Sequence, residues 1–291
     1  MKYEVTTCID NDAKFIEEQA DEVFNAMAPA EEGAEEEVYF FKVTDEDNKL
    51  LGGIILVIDE RKTAIMCDLW VEEPFRGRGI ASALIREAEL KAKERGCHLV
   101  LIGTYDFEAK PLYDKHGYEL IETMMDYPKG HEHYFLKKRL DDRPFEGYVP
   151  SNSGEYEVIP ADEEDAEFVS CKLSEFEEAC APREHDPIPI SKKVTDENGR
   201  IIAGIVGGVT VWNCTEIEAL WVDKPYRGQG IGSVLLSEFE QEAKNNGAYV
   251  ITIEPYEWDV EFYKKNGYDK VTGVLEDNPK GHTMYCMEKR L

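Results

Sequence analysis

Basic residues are scarce in this chain of 291 residues, in which 33 Lys and Arg face 61 Asp and Glu and leave a net charge of −28. So acidic a chain repels nucleic acid and anionic lipid, and we expect neither as a partner. The charge either attracts a cationic or amine-bearing substrate or serves only solubility. No stretch approaches the roughly 20 apolar residues of a membrane span, and the first residues lack the apolar run of a signal peptide.

Paired cysteines are also missing from the sequence. The chain has seven cysteines, an odd number, and no two of them have CxxC spacing. This usage predicts free thiols in a reducing compartment, with neither a disulfide framework nor a zinc site. We therefore expect a cytoplasmic protein that binds no metal.

The chain contains one long internal repeat. The stretch LWVEEPFRGRGIASALI begins at Leu69, and LWVDKPYRGQGIGSVLL begins at Leu220, 151 residues later. A period this long indicates duplicated domains, because solenoid units are roughly 20–50 residues long. We predict one domain over residues 1–140 and a second over residues 156–291. Residues 141–155, with two prolines, two glycines and no clear period, are the expected linker.

The hydrophobic pattern predicts the same mixed α/β order in each copy. The glycine-bearing apolar runs KLLGGIILVI and RIIAGIVGGV are typical of strands, in which the glycines mark bulges or close backbone contacts. A further strand leads into an Arg-Gly-x-Gly turn and then a helix. In copy two this helix places Ile231, Leu235, Phe239 and Ala243 on one face. A strand, a short helix and closing strands follow.

The Arg-Gly-x-Gly turns carry the most informative chemistry. They read Arg76-Gly77-Arg78-Gly79-Ile80-Ala81 in copy one and Arg227-Gly228-Gln229-Gly230-Ile231-Gly232 in copy two. The start of a helix offers unpaired N–H groups and the positive end of the helix dipole, and glycines there let the backbone approach an anion. The pattern suits a pyrophosphate. The Gly-Lys-Ser/Thr of a P-loop is absent, and serine at positions 82 and 233 breaks the dinucleotide pattern GxGxxG.

In these residues the chain resembles the GNAT superfamily of acyl-CoA N-acyltransferases, whose signature is Arg/Gln-x-x-Gly-x-Gly/Ala. The resemblance covers roughly the C-terminal two thirds of each copy. It implies two tandem GNAT-like domains, each a mixed, mostly antiparallel central sheet flanked by helices, with acetyl-CoA as the cofactor. It also implies that the strand before the turn splays from its neighbour. The backbone that would bind the pantetheine arm is Leu69, Trp70 and Val71 in copy one and Leu220, Trp221 and Val222 in copy two.

The resemblance further implies a tyrosine that protonates the departing CoA thiolate. Tyr113 and Tyr263 occupy that place in the two copies, each on a predicted short helix. A phenol whose pKa is near its reference value of about 10 can act as a general acid at neutral pH. The alternative is that each is a half-buried tyrosine of the core.

Members of this superfamily often carry a carboxylate base on the strand before the turn. Glu216 and Glu218 are two residues apart in copy two and therefore lie on one face of that strand. Copy one has Ile65 and Cys67 at the matching positions, and its Asp68 has the opposite parity. The two glutamates are either catalytic or merely face solvent. From this asymmetry we expect copy two to be the more active half.

Three further polar residues are weaker candidates. Glu254, placed opposite Thr104, is a carboxylate that copy one lacks. His131 and His282 end the two Pro-Lys-Gly-His turns and either relay protons or stabilise those turns.

The expected function is transfer of an acetyl group from acetyl-CoA to a primary amine by direct attack, with no metal. The alternative is a non-catalytic or half-catalytic domain pair that binds acyl-CoA as a structural or sensing ligand. The expected acceptor is a small-molecule or peptide amine, and the acidic chain favours a cationic one. Aminoglycosides, polyamines, free amino acids and protein N-termini all remain open. We also expect a monomer whose two domains pair as an internal pseudo-dimer.

Overall fold

A computed structural model describes residues 4–31, 33–141 and 156–291 of the chain. Of the predicted linker, residues 142–155 lie outside the described residues. The first half contains β1 (Val5–Thr7), α1 (Asp12–Met27), β2 (Glu37–Thr44), β3 (Leu50–Ile58), β4 (Thr63–Val71), α2 (Ile80–Glu94), β5 (Leu99–Tyr105), α3 (Lys110–Lys115), β6 (Glu119–Met125) and β7 (Glu132–Arg139). The second half contains β8 (Ile159–Pro160), α4 (Glu163–Cys180), β9 (Ile188–Thr195), β10 (Ile201–Val209), β11 (Cys214–Val222), α5 (Ile231–Asn245), β12 (Val250–Ile253), α6 (Val260–Lys265), β13 (Lys270–Glu276) and β14 (Thr283–Arg290). Among these described helices, none is long and apolar enough to cross a membrane.

The strands form two seven-stranded sheets of the same design. The first sheet has the order β6-β7-β5-β4-β3-β2-β8, and the second has the order β13-β14-β12-β11-β10-β9-β1. The β4–β5 and β11–β12 pairs are parallel, and the other pairings between the described strands are antiparallel. Each sheet is flanked by helices, so the predicted fold class is confirmed.

Helices α2 and α5 bury one apolar face each against these sheets. The four residues that the sequence places on one face of α5, namely Ile231, Leu235, Phe239 and Ala243, are all buried. Gly96 and Gly247 follow the two helices with φ of 82° and 93°. This left-handed conformation, which glycine adopts without strain, ends each helix as the sequence predicts.

Strands β4 and β5 separate along their length. Their ladder covers only Thr63 to Met66 on β4, although β4 continues to Val71. The β11–β12 ladder likewise ends at Glu216, and β11 continues to Val222. Beyond these points one backbone edge of β4 and of β11 faces a gap between strands, where its N–H and C=O groups can pair with a ligand. The expected splay is therefore present in both sheets.

The N-terminal segment of each sequence copy folds onto the sheet of the other copy. Helix α1 packs on β10 and β11, whereas α4 packs on β3 and β4. Strand β1 pairs with β9 in the second sheet, and β8 pairs with β2 in the first. We call residues 5–27 and 159–180 the exchanged segments. The folded units therefore differ from the predicted ranges 1–140 and 156–291, because each unit takes its exchanged segment from the other range.

The exchanged helices pack directly against the backbone of two strand glycines. A Cβ built on Gly53 of β3 would lie 2.6 Å from Val169 Cγ2 of α4. A Cβ on Gly204 of β10 would overlap the side chain of Ile16 in α1 even more closely. Val169 and Ile16 are both buried. The expectation that glycines in these strands mark close contacts is confirmed, and the partner in each case is a helix from the other copy.

Ring contacts and ion pairs also hold the exchanged segments at matching positions. The ring centroids lie 5.7 Å apart in the Trp70–Phe168 pair and 5.9 Å apart in the Phe15–Trp221 pair, and both pairs are edge-on. The ion pairs are Lys42–Asp165 and Lys193–Asp12. Because both units use the same types of contact, the exchange is a symmetric feature of the fold.

The two folded units contact each other through equivalent residues. His98 Nε2 lies 2.7 Å from the carbonyl oxygen of Asp277, and the Tyr249 hydroxyl donates to the carbonyl oxygen of Asp126 at 2.7 Å. His98 and Tyr249 are 151 residues apart, as are Asp126 and Asp277. The contact therefore relates the units by a pseudo-twofold axis. That the whole chain is a monomer stays a prediction.

Candidate active sites

Two equivalent turns join β4 to α2 and β11 to α5. Their glycines have positive φ, namely 74° at Gly77, 93° at Gly79, 75° at Gly228 and 83° at Gly230. Other residues adopt this conformation only with strain. A Cβ built on any of the four glycines meets no atom within 4 Å. The bare backbone of each turn therefore faces open space in which a ligand can approach it.

Helices α2 and α5 begin at these turns without a side-chain cap. The first amide of α2 to bond within the helix is that of Ala83, which donates to the carbonyl oxygen of Gly79. The N–H groups before it have no acceptor within the helix and are directed out of its N-terminal end. Helix α4, in contrast, begins with a capping box formed by Asp162 and Asp165. Uncapped amides at the positive end of a helix dipole suit an anion. The two turns thus fit the pyrophosphate of acetyl-CoA.

One arginine ties each turn to the end of its strand. Arg76 Nε donates to the carbonyl oxygen of Val71 at 2.9 Å, and Arg227 Nε donates to that of Val222 at 2.8 Å. Each bond fixes a guanidinium beside the mouth of the turn. A positive charge is thereby held where the anion would lie.

Each turn opens into a cavity between the splayed strands. The first cavity has a volume of about 620 Å³ and the second about 590 Å³. The predicted cofactor residues that line the first are Leu69, Trp70, Val71, Arg76, Gly77, Gly79, Ile80 and Ala81. Those that line the second are Leu220, Trp221, Val222, Arg227, Gly228, Gly230, Ile231 and Gly232. Arg78, which lies over the Phe75 ring, and Gln229, which donates to the Pro225 carbonyl, line neither cavity.

Each cavity also contains one of the predicted tyrosines. Tyr113 on α3 lines the first, and Tyr263 on α6 lines the second. Burial raises the pKa of both hydroxyls above the ordinary value, and the nearby Glu108 and Asp259 carboxylates act in the same direction. Both hydroxyls therefore keep their proton at neutral pH, which a proton donor requires.

The two predicted glutamates of β11 have different surroundings. Glu218 lines the second cavity, and burial raises the pKa of its carboxyl. Glu216 lies outside the lining of both cavities and accepts a hydrogen bond from the Tyr127 hydroxyl of the other unit. Glu216 thus contacts the surface between the units, and of the pair only Glu218 reaches a cavity.

Asp68 lines the first cavity, although strict alternation of side chains along β4 would place it on the opposite face from Cys67. In the β3–β4 ladder, Cys67 and Asp68 together stand opposite Ile55, which is a β-bulge. A bulge interrupts the alternation of side chains, so both Cys67 and Asp68 line the cavity. The argument from strict alternation fails here because the sequence does not reveal the extra residue.

Sequence reasoning missed two carboxylates of the first cavity, Glu108 and Glu177. Glu108 lies in the loop before α3, and its position close to Tyr113 is the signal that could have identified it. Glu177 belongs to α4, in the exchanged segment. Nothing in the sequence of the first copy points to it, because the contact exists only in the tertiary structure.

The second cavity carries Asp21 of α1, Glu254 and Asp259 in addition to Glu218. Burial raises the pKa of the Glu254 and Asp259 carboxyls. The amides of Asp106 and Glu257, which are 151 residues apart, make equivalent backbone hydrogen bonds. Glu254 therefore corresponds to Gly103, and the predicted match with Thr104 is wrong by one residue.

His131 and His282 lie in turns and line neither cavity. His131 Nδ1 is 3.0 Å from Asp106, and His282 Nδ1 is 2.9 Å from Glu257. The backbone amide of each histidine also closes its turn, by donating to Pro128 or Pro279. These contacts favour the turn-stabilising alternative.

Comparison with known proteins agrees with this geometry. The model of the acetyltransferase (GNAT) family matches the chain twice, at residues 7–118 and 154–268. The chain belongs to the GNAT acetyltransferase family. It is therefore an N-acetyltransferase that uses acetyl-CoA.

Three proteins similar to this GNAT acetyltransferase each match less than half of its length. Blasticidin-S acetyltransferase from Streptomyces morookaense is 34% identical over 113 residues, which are 38% of this chain and 82% of the relative. The crystal structure of an acetyltransferase from Bacillus cereus is 34% identical, with a TM-score of 0.42, over 45% of this chain and 94% of that chain. The structure of an aminoglycoside 6'-N-acetyltransferase with coenzyme A is 21% identical, with a TM-score of 0.33, over 43% of this chain and 83% of that chain.

Proposed function

We propose that this GNAT acetyltransferase acetylates a primary amine of a small cationic molecule, by direct attack of the amine on the thioester. The observation that carries the proposal is that each cavity combines an uncapped glycine turn, a protonated tyrosine and several carboxylates. The net charge of −28 supports a cationic acceptor, since such a field attracts positive ligands. The name of the relative from Streptomyces morookaense makes blasticidin S one acceptor to test.

Each group of the cavities has a role in this proposal. Bound acetyl-CoA supplies a thioester carbonyl that an amine can attack. The uncapped amides of α2 and α5 hold the pyrophosphate, and the free strand edges at residues 69–71 and 220–222 hold the pantetheine arm. Tyr113 and Tyr263 each hold a proton for the departing sulfur. In the second cavity, Glu218 and Glu254 are placed to receive the proton that the acceptor ammonium loses.

An amine panel tests the proposal directly. The purified chain is incubated with acetyl-CoA and, in turn, blasticidin S, an aminoglycoside, spermidine, free amino acids and a peptide, and thiol release is measured. We expect turnover with at least one small cationic amine and none with a neutral alcohol of similar size.

Binding of coenzyme A is measured separately by calorimetry. Tight binding with no thiol release for any amine would instead support the alternative, a pair of domains that bind acyl-CoA as a structural or sensing ligand. Turnover confined to the peptide would contradict the small-molecule acceptor.

A further inference from the structure

Helix α4 forms one wall of the first cavity, although it belongs to the second copy of the repeat. Leu173, Phe176 and Glu177 line the cavity together with residues of β4, β5 and α3. The three residues follow one another at helical spacing and therefore share one face of α4. The exchanged segment thus supplies a wall that the first copy does not encode.

Two carboxylates of the first copy lie beside this wall and are oriented by neighbours. The Ser170 hydroxyl of α4 donates a hydrogen bond to Asp68. Glu108 accepts hydrogen bonds from Thr104 Oγ1 at 2.8 Å and from the amide of Tyr105 at 2.7 Å. The positions of Asp68 and Glu108 are therefore set by the protein itself.

Glu177 completes a group of three carboxyls in the first cavity. Burial raises its pKa to about 7, and the charges of Glu108 and Asp68 and a hydrogen bond with the Glu108 carboxyl act in the same direction. Arg183 is the cation that opposes this effect. Three carboxyls in one half-buried space repel one another when charged, so a bound cation would stabilise the charged form of Glu177.

The equivalent position in the second cavity is aromatic. Glu177 lies 153 residues after Phe24, the separation that also relates Ile16 to Val169 in the helix contacts. Phe24 lines the second cavity, and its ring centroid is 4.8 Å from that of Tyr256. The two exchanged helices therefore give one cavity a carboxylate and the other an aromatic ring at the same place.

We propose that Glu177, delivered by the exchanged helix, binds the acceptor ammonium in the first cavity and takes its proton. The inference rests on the proposed function and deepens it, because it assigns the acceptor side of the first cavity to a residue of the other copy. It also makes the acceptor sides of the two cavities different at this position, because the second cavity has the Phe24 ring there and carries its carboxylates, Asp21, Glu218, Glu254 and Asp259, at other positions. The first cavity takes an acceptor with more than one positive charge, matching Glu177 and its two neighbouring carboxylates.

The proton and bond changes balance with residues of this cavity. Glu177 takes a proton from the ammonium, and the freed amine forms the nitrogen–carbon bond as the carbon–sulfur bond breaks. Tyr113 gives its hydroxyl proton to the departing sulfur and regains one, through water, from the acetylated nitrogen. Glu177 then releases its proton to solvent. The products are an amide, a thiol and one proton.

The test isolates the first cavity and removes one charge. The background variant is Gly230→Val, which closes the turn of the second cavity. In that background Glu177→Gln is compared with the control Glu167→Gln, since Glu167 is an exposed residue of the same helix. Spermidine binding without acetyl-CoA is measured by calorimetry. We expect Glu177→Gln to weaken it about tenfold or more, as loss of a hydrogen bond between charged groups does, whereas Glu167→Gln changes it less than twofold.

Enzyme kinetics give a second measurement, which would not change if the role of Glu177 were purely structural. The rate of spermidine acetylation, as kcat/KM, should fall about 10²-fold or more in Glu177→Gln. The limb of the pH profile that rises near pH 7 should disappear, and Glu177→Asp should restore part of the rate. The groups that set this limb are Glu177 with Asp68, Glu108 and Arg183 around it.

The outcomes separate this inference from the proposed function. Equal spermidine binding and equal kcat/KM in Glu177→Gln and Glu167→Gln would overturn the role of Glu177, while turnover by the unaltered chain would leave the function standing. If the unaltered chain acetylates no amine, the function fails, and the proton transfer by Glu177 fails with it. Coenzyme A binding that is unchanged in Glu177→Gln confirms that the variant is folded.

Discussion

The side chain of Ile16 in α1 packs on the bare backbone of Gly204 in β10, a strand of the other repeat copy. Val169 of α4 makes the same contact with Gly53 of β3. Each glycine leaves room for a helix that its own copy does not supply. The acetyltransferase is therefore held together by two reciprocal contacts, and both cavities are walled by helices from the other copy.

Gly53→Ala should loosen the contact between α4 and the first sheet. The added Cβ would lie 2.6 Å from Val169 Cγ2 and 3.1 Å from the Phe41 carbonyl oxygen. Overpacking of this kind lowers the free energy of unfolding by about 1–3 kcal/mol. Urea denaturation measures the change. In the double variant Gly53→Ala/Val169→Ala the loss should be smaller than the sum of the two single losses, and strict additivity would contradict direct packing.

Gly230→Val should remove one of two coenzyme A sites. The branched side chain would occupy the open space in front of the second turn and strain a residue whose φ is 83°. Calorimetry should show two sites in the unaltered chain and one in the variant. Gly199→Val is the matched control, because Gly199 has a similar φ of 79° and open space but lies in neither cavity. An unaltered chain that binds no coenzyme A would refute both turns as sites.

Tyr113→Phe and Tyr263→Phe, made separately, should identify the more active half. Each change removes one hydroxyl from one cavity, and loss of a positioned general acid lowers kcat about 10²–10⁴-fold. We expect the larger loss of turnover from Tyr263→Phe, as the prediction for copy two requires. A larger loss from Tyr113→Phe would reverse that assignment, and no loss from either would remove the tyrosines from the mechanism.

Glu218→Gln and Glu216→Gln should differ in their effect on catalysis. Glu218 lines the second cavity, whereas Glu216 is bonded to Tyr127 between the units. We expect Glu218→Gln to lower kcat/KM for the amine used by that cavity about 10²-fold. Glu216→Gln should leave kcat/KM within about twofold and change the melting temperature instead. The reverse pattern would place the base at Glu216.

The contribution of Glu177 to the stability of the chain should fall as the pH rises from about 4.5 to about 7. The pKa of Glu177 is raised from 4.5 to about 7 in the folded state, so in this range the unfolded chain loses the proton first. The protonated Glu177 carboxyl therefore contributes its full share to the free energy of unfolding below pH 4.5, and this contribution is lost as the pH rises through 7. Melting curves at pH 5 and pH 8 should differ less in Glu177→Gln than in Glu167→Gln. Equal differences would mean that Glu177 has an ordinary pKa.

Much of the fold and half of each site followed from local patterns. The glycine turns, the buried face of α5 and the two tyrosines were predictable because turn conformation, helical periodicity and chain order fix them without distant contacts. Asp68 was assigned to the wrong side because strict alternation ignores the bulge at Cys67 and Asp68 of β4. Glu216 was grouped with Glu218 for the same reason, because the register of β11 shifts at Glu218. A bulge depends on how two strands pair, and one strand's sequence does not reveal it.

The sequence by itself determined that the chain is a duplicated GNAT acetyltransferase, with two glycine turns at Gly77–Gly79 and Gly228–Gly230 whose pattern suits a pyrophosphate. Only the tertiary structure decided which helix covers which sheet. Both sheets carry a glycine at the same place, and both helices carry a branched apolar residue to fill it, so the pattern is compatible with either pairing. The choice of partner brings Glu177 to the first cavity and Phe24 to the second, because side chains far apart in the chain meet only when the helices have packed.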